Sequence, residues 1–225
     1  MQLPRFCFEV KIFMRLWLAT EFALFFLLTP AALAFYPTRW DGHVCLWLFS
    51  LYALFVLTRA PDFSWRRLWN GKGWNATHKK QALIRFAIAT AAIIIFTCVI
   101  APERLFSFPL RRPGLWLIVM VLYPILSALP QELVFRSFFF RRYEKLFPNQ
   151  AAMIVMNAFL FGFIHVMFHN WVSPLLSAVA GGLFAISYTQ HRSLKWAALE
   201  HAAYGCMVFT CGIGFYFLVG AFRPH

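Results

Sequence analysis

Acid is what this sequence has least of. Only 8 of its 225 residues are Asp or Glu, against 21 Lys and Arg, and charged residues of both signs make up 13% of the chain. With 61% apolar residues and a mean hydropathy of +0.66, this scarcity excludes an ordinary soluble domain. There is no CxxC pair, and the cysteines, Cys7, Cys45, Cys98, Cys206 and Cys211, are odd in number, which leaves no disulfide framework and no thiolate zinc site. No long basic helix or aromatic-interleaved basic patch stands outside the connections between apolar runs. The net charge of +13 therefore does not point to nucleic acid. No internal repeat, low-complexity tract or flexible linker divides the chain, so residues 1–225 read as a single membrane domain.

What is abundant points the same way. Lipid-facing helices tolerate Phe and interfacial belts favour Trp, and the chain carries 28 Phe and 9 Trp. Apolar runs over 13–35, 44–58, 81–101, 115–140, 151–168, 171–189 and 196–221 predict an all-α fold. We expect a polytopic membrane helical bundle with about seven transmembrane helices. The first run ends at Ala32-Leu33-Ala34, which resembles a cleavage site, but it is long enough to span and reads as an uncleaved helix. Between the second and third runs, Trp65, Trp69 and Trp74 alternate with Arg66, Arg67 and Lys72, the pattern of an interfacial helix lying on anionic lipid. Ser177, Ala178, Gly181 and Gly182 give the sixth run a small-residue face for close packing.

Lys and Arg also set an orientation. Arg59, Arg66, Arg67, Lys72, Lys79, Lys80, Arg141, Arg142, Lys145, Arg192 and Lys195 fall on the same side as the amino-terminal Arg5, Lys11 and Arg15. The bias predicts an inner (plasma) membrane protein with a cytoplasmic amino terminus and an external carboxyl terminus.

Against this apolar background a few polar side chains need a reason, because an isolated charge at the bilayer centre costs roughly 2.5–3.5 kcal/mol on insertion scales. Gln131, Glu132 and Arg136 lie in the fourth run, His165 in the fifth, Glu200 and His201 in the seventh, and Glu21 in the first. Glu132 precedes Arg141 by nine residues, roughly 14 Å of helix at ~1.5 Å per residue, and the hairpin near Pro148 brings His165 to a similar depth. His201 stands six residues beyond Lys195, at about the same level. A buried Glu–Arg pair that only pins helix packing is the plain alternative. A carboxylate and two imidazoles at one depth point instead to general base chemistry and oxyanion stabilisation. His165 and His169, four residues apart, offer a competing two-histidine metal face, but no HExxH accompanies them and no metal or other cofactor is expected. Glu21, close to Arg15, reads as structural.

These residues resemble the motifs of the CAAX protease and bacteriocin-processing family, also called Abi, which are intramembrane glutamic endopeptidases. The family's Glu-Glu-x-x-x-Arg, Phe-x-x-x-His and His-x-x-x-Asn helices correspond here to Gln131-Glu132-Leu133-Val134-Phe135-Arg136, to Phe161-Gly162-Phe163-Ile164-His165 and to His201-Ala202-Ala203-Tyr204-Gly205. The resemblance covers about residues 115–221. It implies an endopeptidase that cuts membrane-associated peptides or proteins from the cytoplasmic side. By this resemblance Glu132, together with Gln131, would act with His165 on a water; His201 would stabilise the oxyanion, and Arg136 would hold Glu132. Two positions depart from the pattern. Gln131 stands where the first Glu is expected and cannot accept a proton, so either Glu132 takes over or the protein is a catalytically silent relative that binds a partner or peptide. Gly205 stands where Asn is expected, with Asn157 a candidate to compensate.

Overall fold

A computed structural model describes residues 3–35, 41–70 and 76–218, and every regular element among them is helical. Seven main helices follow the seven apolar runs: α1 (3–35), α2 (Asp41–Thr58), α3 (Ala76–Ile100), α4 (Pro113–Arg142), α5 (Gln150–Phe168), α6 (Val172–His191) and α7 (Leu194–Thr210). Five stretches, Ile12–Phe35, α3, α4, α5 and α6, are long and apolar enough to cross a membrane. The apolar part of α2, Gly42–Thr58, is shorter, and α7 has 17 residues that include Lys195, Glu200 and His201.

The bundle is apolar outside as well as in its Phe-rich core, and it hides most of its few mid-helix polar groups inside. Ile88, Ile95, Val99, Leu117, Val121, Val155 and Leu199 are exposed, whereas Glu21, Glu132, Arg136, Asn157, His165, Glu200 and His201 are buried. Such a surface suits hydrocarbon, and a buried polar group is tolerable only with a partner. Glu21 has several. Arg142 donates to its two carboxylate oxygens at 2.9 and 2.7 Å, and the hydroxyls of Tyr52 and Tyr143 donate at 2.9 Å each. Burial and the adjacent carboxylate push the Tyr143 phenol well above its ordinary range, so it stays a donor. Glu200 pairs with Arg85 of α3 at 2.9 Å.

Two expectations are corrected. The seventh span does not run to residue 221. The helix ends at Thr210, Gly212 takes a positive φ of 95°, and a 3-10 turn over Ile213–Phe217 follows, with the Arg104 guanidinium 3.9 Å from the Phe215 ring centre. Residues 219–221 of the expected span lie outside the described residues. Among its described residues the connection after α2 is helical over Trp65–Leu68, a single turn. Asp62 pairs with Arg141 at the end of α4 and Phe63 packs against the core, which ties the connection to the bundle instead of releasing it along the surface. Trp74 and Lys72 lie outside the described residues, and Lys79 and Lys80 belong to the first turns of α3.

Three local features shape the core near Glu132. α4 is interrupted by two π-helical turns, Pro124–Ala128 and Leu133–Phe138, on either side of the short α-helical Leu129–Glu132. Pro130 has no N–H for the carbonyl of Leu126, and the indole of Trp47 supplies the missing donor at 3.1 Å. The hydroxyl of Ser50 donates to the Leu46 carbonyl of its own helix at 2.7 Å and lies 3.3 Å from the Pro130 carbonyl, so α2 packs closely against the break. Across the bundle, α5 and α6 form the closest helix pair. A Cβ on Gly162 would come within 2.7 Å of the Pro174 carbonyl, and one on Gly181 within 2.8 Å of Phe161, so the small-residue face of α6 is used as expected.

Candidate active site

Arg136 is fully enclosed, and Asn157 explains how it is tolerated. Its guanidinium donates to the Asn157 side-chain carbonyl and, at 3.3 Å, to the backbone carbonyl of Gly181, while Asn157 in turn donates to the Phe135 carbonyl at 2.7 Å. The rings of Phe161 and Phe184 lie 5.1 and 5.8 Å from the guanidinium carbon. Nε of Arg136 is 3.0 Å from one Glu132 oxygen, a charge contact whose angle falls short of a hydrogen bond. Asn157 therefore serves Arg136 and is not placed beside Gly205.

Glu132 is fully buried and turns its other oxygen to His201, whose Nδ1 lies at 2.9 Å. A carboxylate can only accept, so Nδ1 carries the proton, and in the neutral ring Nε2 is left as the acceptor. That nitrogen is 2.9 Å from the hydroxyl of Tyr123. His201 also stacks on Phe184, with ring centres 5.0 Å apart. Both nitrogens of the ring and one of its faces are thus engaged.

His165 sits where α5 tightens from an α-helix into a 3-10 turn, Ile164–Phe168. Its Nδ1 lies 2.6 Å from the Phe161 carbonyl, which must accept, so Nε2 again carries the lone pair. Tightening also ends the i, i+4 relation with His169, which is exposed and caps the turn with a left-handed φ of 55°. No group of three His, Cys, Asp or Glu side chains among the described residues is arranged to hold a metal ion.

The structure divides the expected residues into two neighbouring sets. Glu132, Arg136 and His201 form the sealed set. Gln131 and His165, with Ser127, His43, Leu46 and Phe168, line a cavity of about 80 Å³, enough for one or two waters. Phe161 stands between the sets, its ring centre 5.2 Å from that of His165 and 5.5 Å from that of His201. The Gln131 amide nitrogen donates to the Ser127 hydroxyl at 2.8 Å, whereas its carbonyl oxygen is buried with no protein partner. A buried acceptor of this kind on a cavity wall is a place for water.

Tyr123 and Ser127 went unnoticed in the sequence. The signal that could have found them is their spacing: Tyr123, Ser127 and Gln131 recur every four residues along an otherwise apolar helix, as a polar ridge would. What obscured it is that Tyr and Ser singly are unremarkable in membrane helices.

Comparison with curated proteins and with solved structures gave no match. Comparison with family models gave one over residues 113–207, described as type II CAAX prenyl endopeptidase Rce1-like. That stretch contains Tyr123, Gln131, Glu132, Arg136, His165 and His201, and over it the chain matches the CAAX protease family that the three motifs resemble.

Proposed function

We propose that the protein is an intramembrane endopeptidase that hydrolyses a membrane-associated peptide or protein, with the reacting water held between Gln131 and His165. The observation that carries this reading is the 80 Å³ cavity, with the unpartnered Gln131 oxygen and an imidazole whose proton is fixed on the far nitrogen. In this scheme Gln131 accepts a hydrogen bond from the water and Nε2 of His165 takes its proton as the oxygen attacks the peptide carbonyl. The same proton passes to the leaving amine when the C–N bond breaks. His201 stands across Phe161 from the cavity and, with Nδ1–H given to Glu132 and Nε2 accepting from Tyr123, it serves as a fixed part of the wall behind Phe161 and offers the developing oxyanion no free donor. The positive-inside bias supports substrate entry from the cytoplasmic side of a plasma membrane. The match to a prenyl endopeptidase family favours lipid-linked peptides among the possible substrates.

A second reading rests on one observation: no carboxylate lines the cavity, because both oxygens of Glu132 are turned to His201 and Arg136. On that reading the protein binds a peptide or partner without cutting it.

One experiment separates the two. The purified protein in liposomes is given a membrane-tethered peptide library, and wild type is compared with His165→Ala, Glu132→Gln and Gln131→Glu. The endopeptidase reading expects cleavage by wild type and a loss of about 10²-fold or more in His165→Ala. Cleavage that survives both His165→Ala and Glu132→Gln would remove this site from the chemistry. A wild type that binds but does not cut, with cutting gained only in Gln131→Glu, supports the silent reading.

A further inference from the structure

Two observations meet at His201 that neither the sequence motifs nor the family match explains. The first is the phenol of Tyr123, whose hydroxyl sits 2.9 Å from Nε2 on the side opposite Glu132. The second is Gly205, one turn beyond His201 on α7. A Cβ built on Gly205 would overlap the phenol oxygen and two ring carbons of Tyr123. Any side chain at 205 would therefore drive the phenol away from the imidazole.

We propose that Tyr123 is a positioning residue of the site: it clamps His201 from the side opposite Glu132, and Gly205 is the opening that admits it. The role rests on the endopeptidase reading, in which the fixed His201 ring backs Phe161 on the wall of the reacting cavity. The physical case is local. Glu132 keeps the proton on Nδ1, which would leave Nε2 as a buried acceptor, and the Tyr123 O–H satisfies it. Fixed at both nitrogens and stacked on Phe184, the ring has one orientation and one tautomer. Tyr123 is itself held by ring contact with Phe209, at 5.3 Å and 68°. The arrangement delivers a side-chain hydrogen-bonding group to the place that a longer residue at 205 would occupy, from α4 instead of from α7. It accounts for the Gly in a position where the motif resemblance leads one to expect Asn.

The test uses full-length protein in liposomes or micelles. Tyr123→Phe keeps the ring and removes only the hydroxyl. Expected are a kcat lower by about tenfold or more with KM little changed, and a His201 ring that keeps its Nδ1–H tautomer while the ¹⁵N signal of Nε2 moves to that of a ring nitrogen with no hydrogen bond. Gly205→Ala should reproduce both effects by displacing the phenol, and it carries the test if Tyr123→Phe does not fold. Combining Gly205→Asn with Tyr123→Ala should recover part of the lost kcat, which a purely packing role would not allow. Unchanged kcat and unchanged His201 signals in Tyr123→Phe would overturn the proposal while leaving the endopeptidase reading standing. Should wild type cut nothing but still show a hydrogen-bonded Nε2 signal that Tyr123→Phe abolishes, the clamp stands and the endopeptidase reading falls.

Discussion

Two Glu–Arg clusters in this bundle make opposite use of the same pair of residues. At the end that carries Arg59, Arg141, Arg142 and Lys145, the Glu21 carboxylate accepts four hydrogen bonds, from Arg142 twice and from Tyr52 and Tyr143. Every lone-pair direction is occupied by a donor from another part of the chain, and the Arg142 side chain stays partly exposed. At the second cluster Glu132 and Arg136 are both fully buried, their mutual contact is not aligned as a hydrogen bond, and the carboxylate's hydrogen bond goes to an imidazole. Glu21 ties α1 and α2 to the end of α4. Glu132 sets the orientation of a ring. A pair that can reach water is cheap to keep and serves as a latch, whereas one buried at mid-depth is costly and persists with neighbours that give it a further role.

That contrast can be broken in several ways, and Arg136→Met should have the largest effect. It leaves the Glu132 carboxylate without its charge partner and Asn157 without its donor, and about 3–5 kcal/mol of stability should go with it. The check is thermal unfolding in detergent; a loss no larger than that of Glu21→Gln would mean the two pairs are equivalent after all. Glu132→Gln comes next. It keeps the side-chain volume and an acceptor for His201 but removes the charge, and cleavage should fall about 10²-fold with the helical fold retained, as followed by turnover and circular dichroism on one preparation.

Glu21→Gln should do the reverse. Loss of the charge-assisted bonds to Arg142 should lower stability by about 1–2 kcal/mol and leave turnover per folded molecule unchanged, since nothing connects this latch to the cavity. A drop in kcat there would show that the bundle end and the site are coupled. The smallest effect is expected for His169→Ala. Its side chain is exposed and lies beyond the 3-10 turn, so turnover should stay within about twofold of wild type. Chelator-sensitive activity that depends on His169 would restore the metal reading and join this residue to the site.

Much of this was legible because bilayer physics constrains sequence tightly. Seven apolar runs became seven helices within a few residues at most ends. Where the reading failed, the cause lay in local departures from regular helix. The seventh run contained Gly212, whose positive φ ends the span early, and the Trp-rich connection was tied down by Asp62 to Arg141 of a distant helix. Depth counting put Glu132, His165 and His201 at one level. It could not say which faced which, because counting along a regular helix ignores the two π-helical turns of α4 and the 3-10 turn of α5.

Low charge and long apolar runs together committed the chain to being a helical membrane protein, because runs of this length without polar alternation satisfy their backbone in hydrocarbon as helices and do not suit the strands of a barrel. The order of its motifs narrowed the chemistry to a small set of polar residues. Tertiary structure alone decided their pairing. It sent Glu132 to His201 and Arg136, left Gln131 with His165 on the cavity wall, gave Asn157 to Arg136, and brought Tyr123 into the space above Gly205. The physical reason is that a buried polar atom takes the partner whose geometry fits, and that geometry depends on how three helices cross, which no single segment encodes.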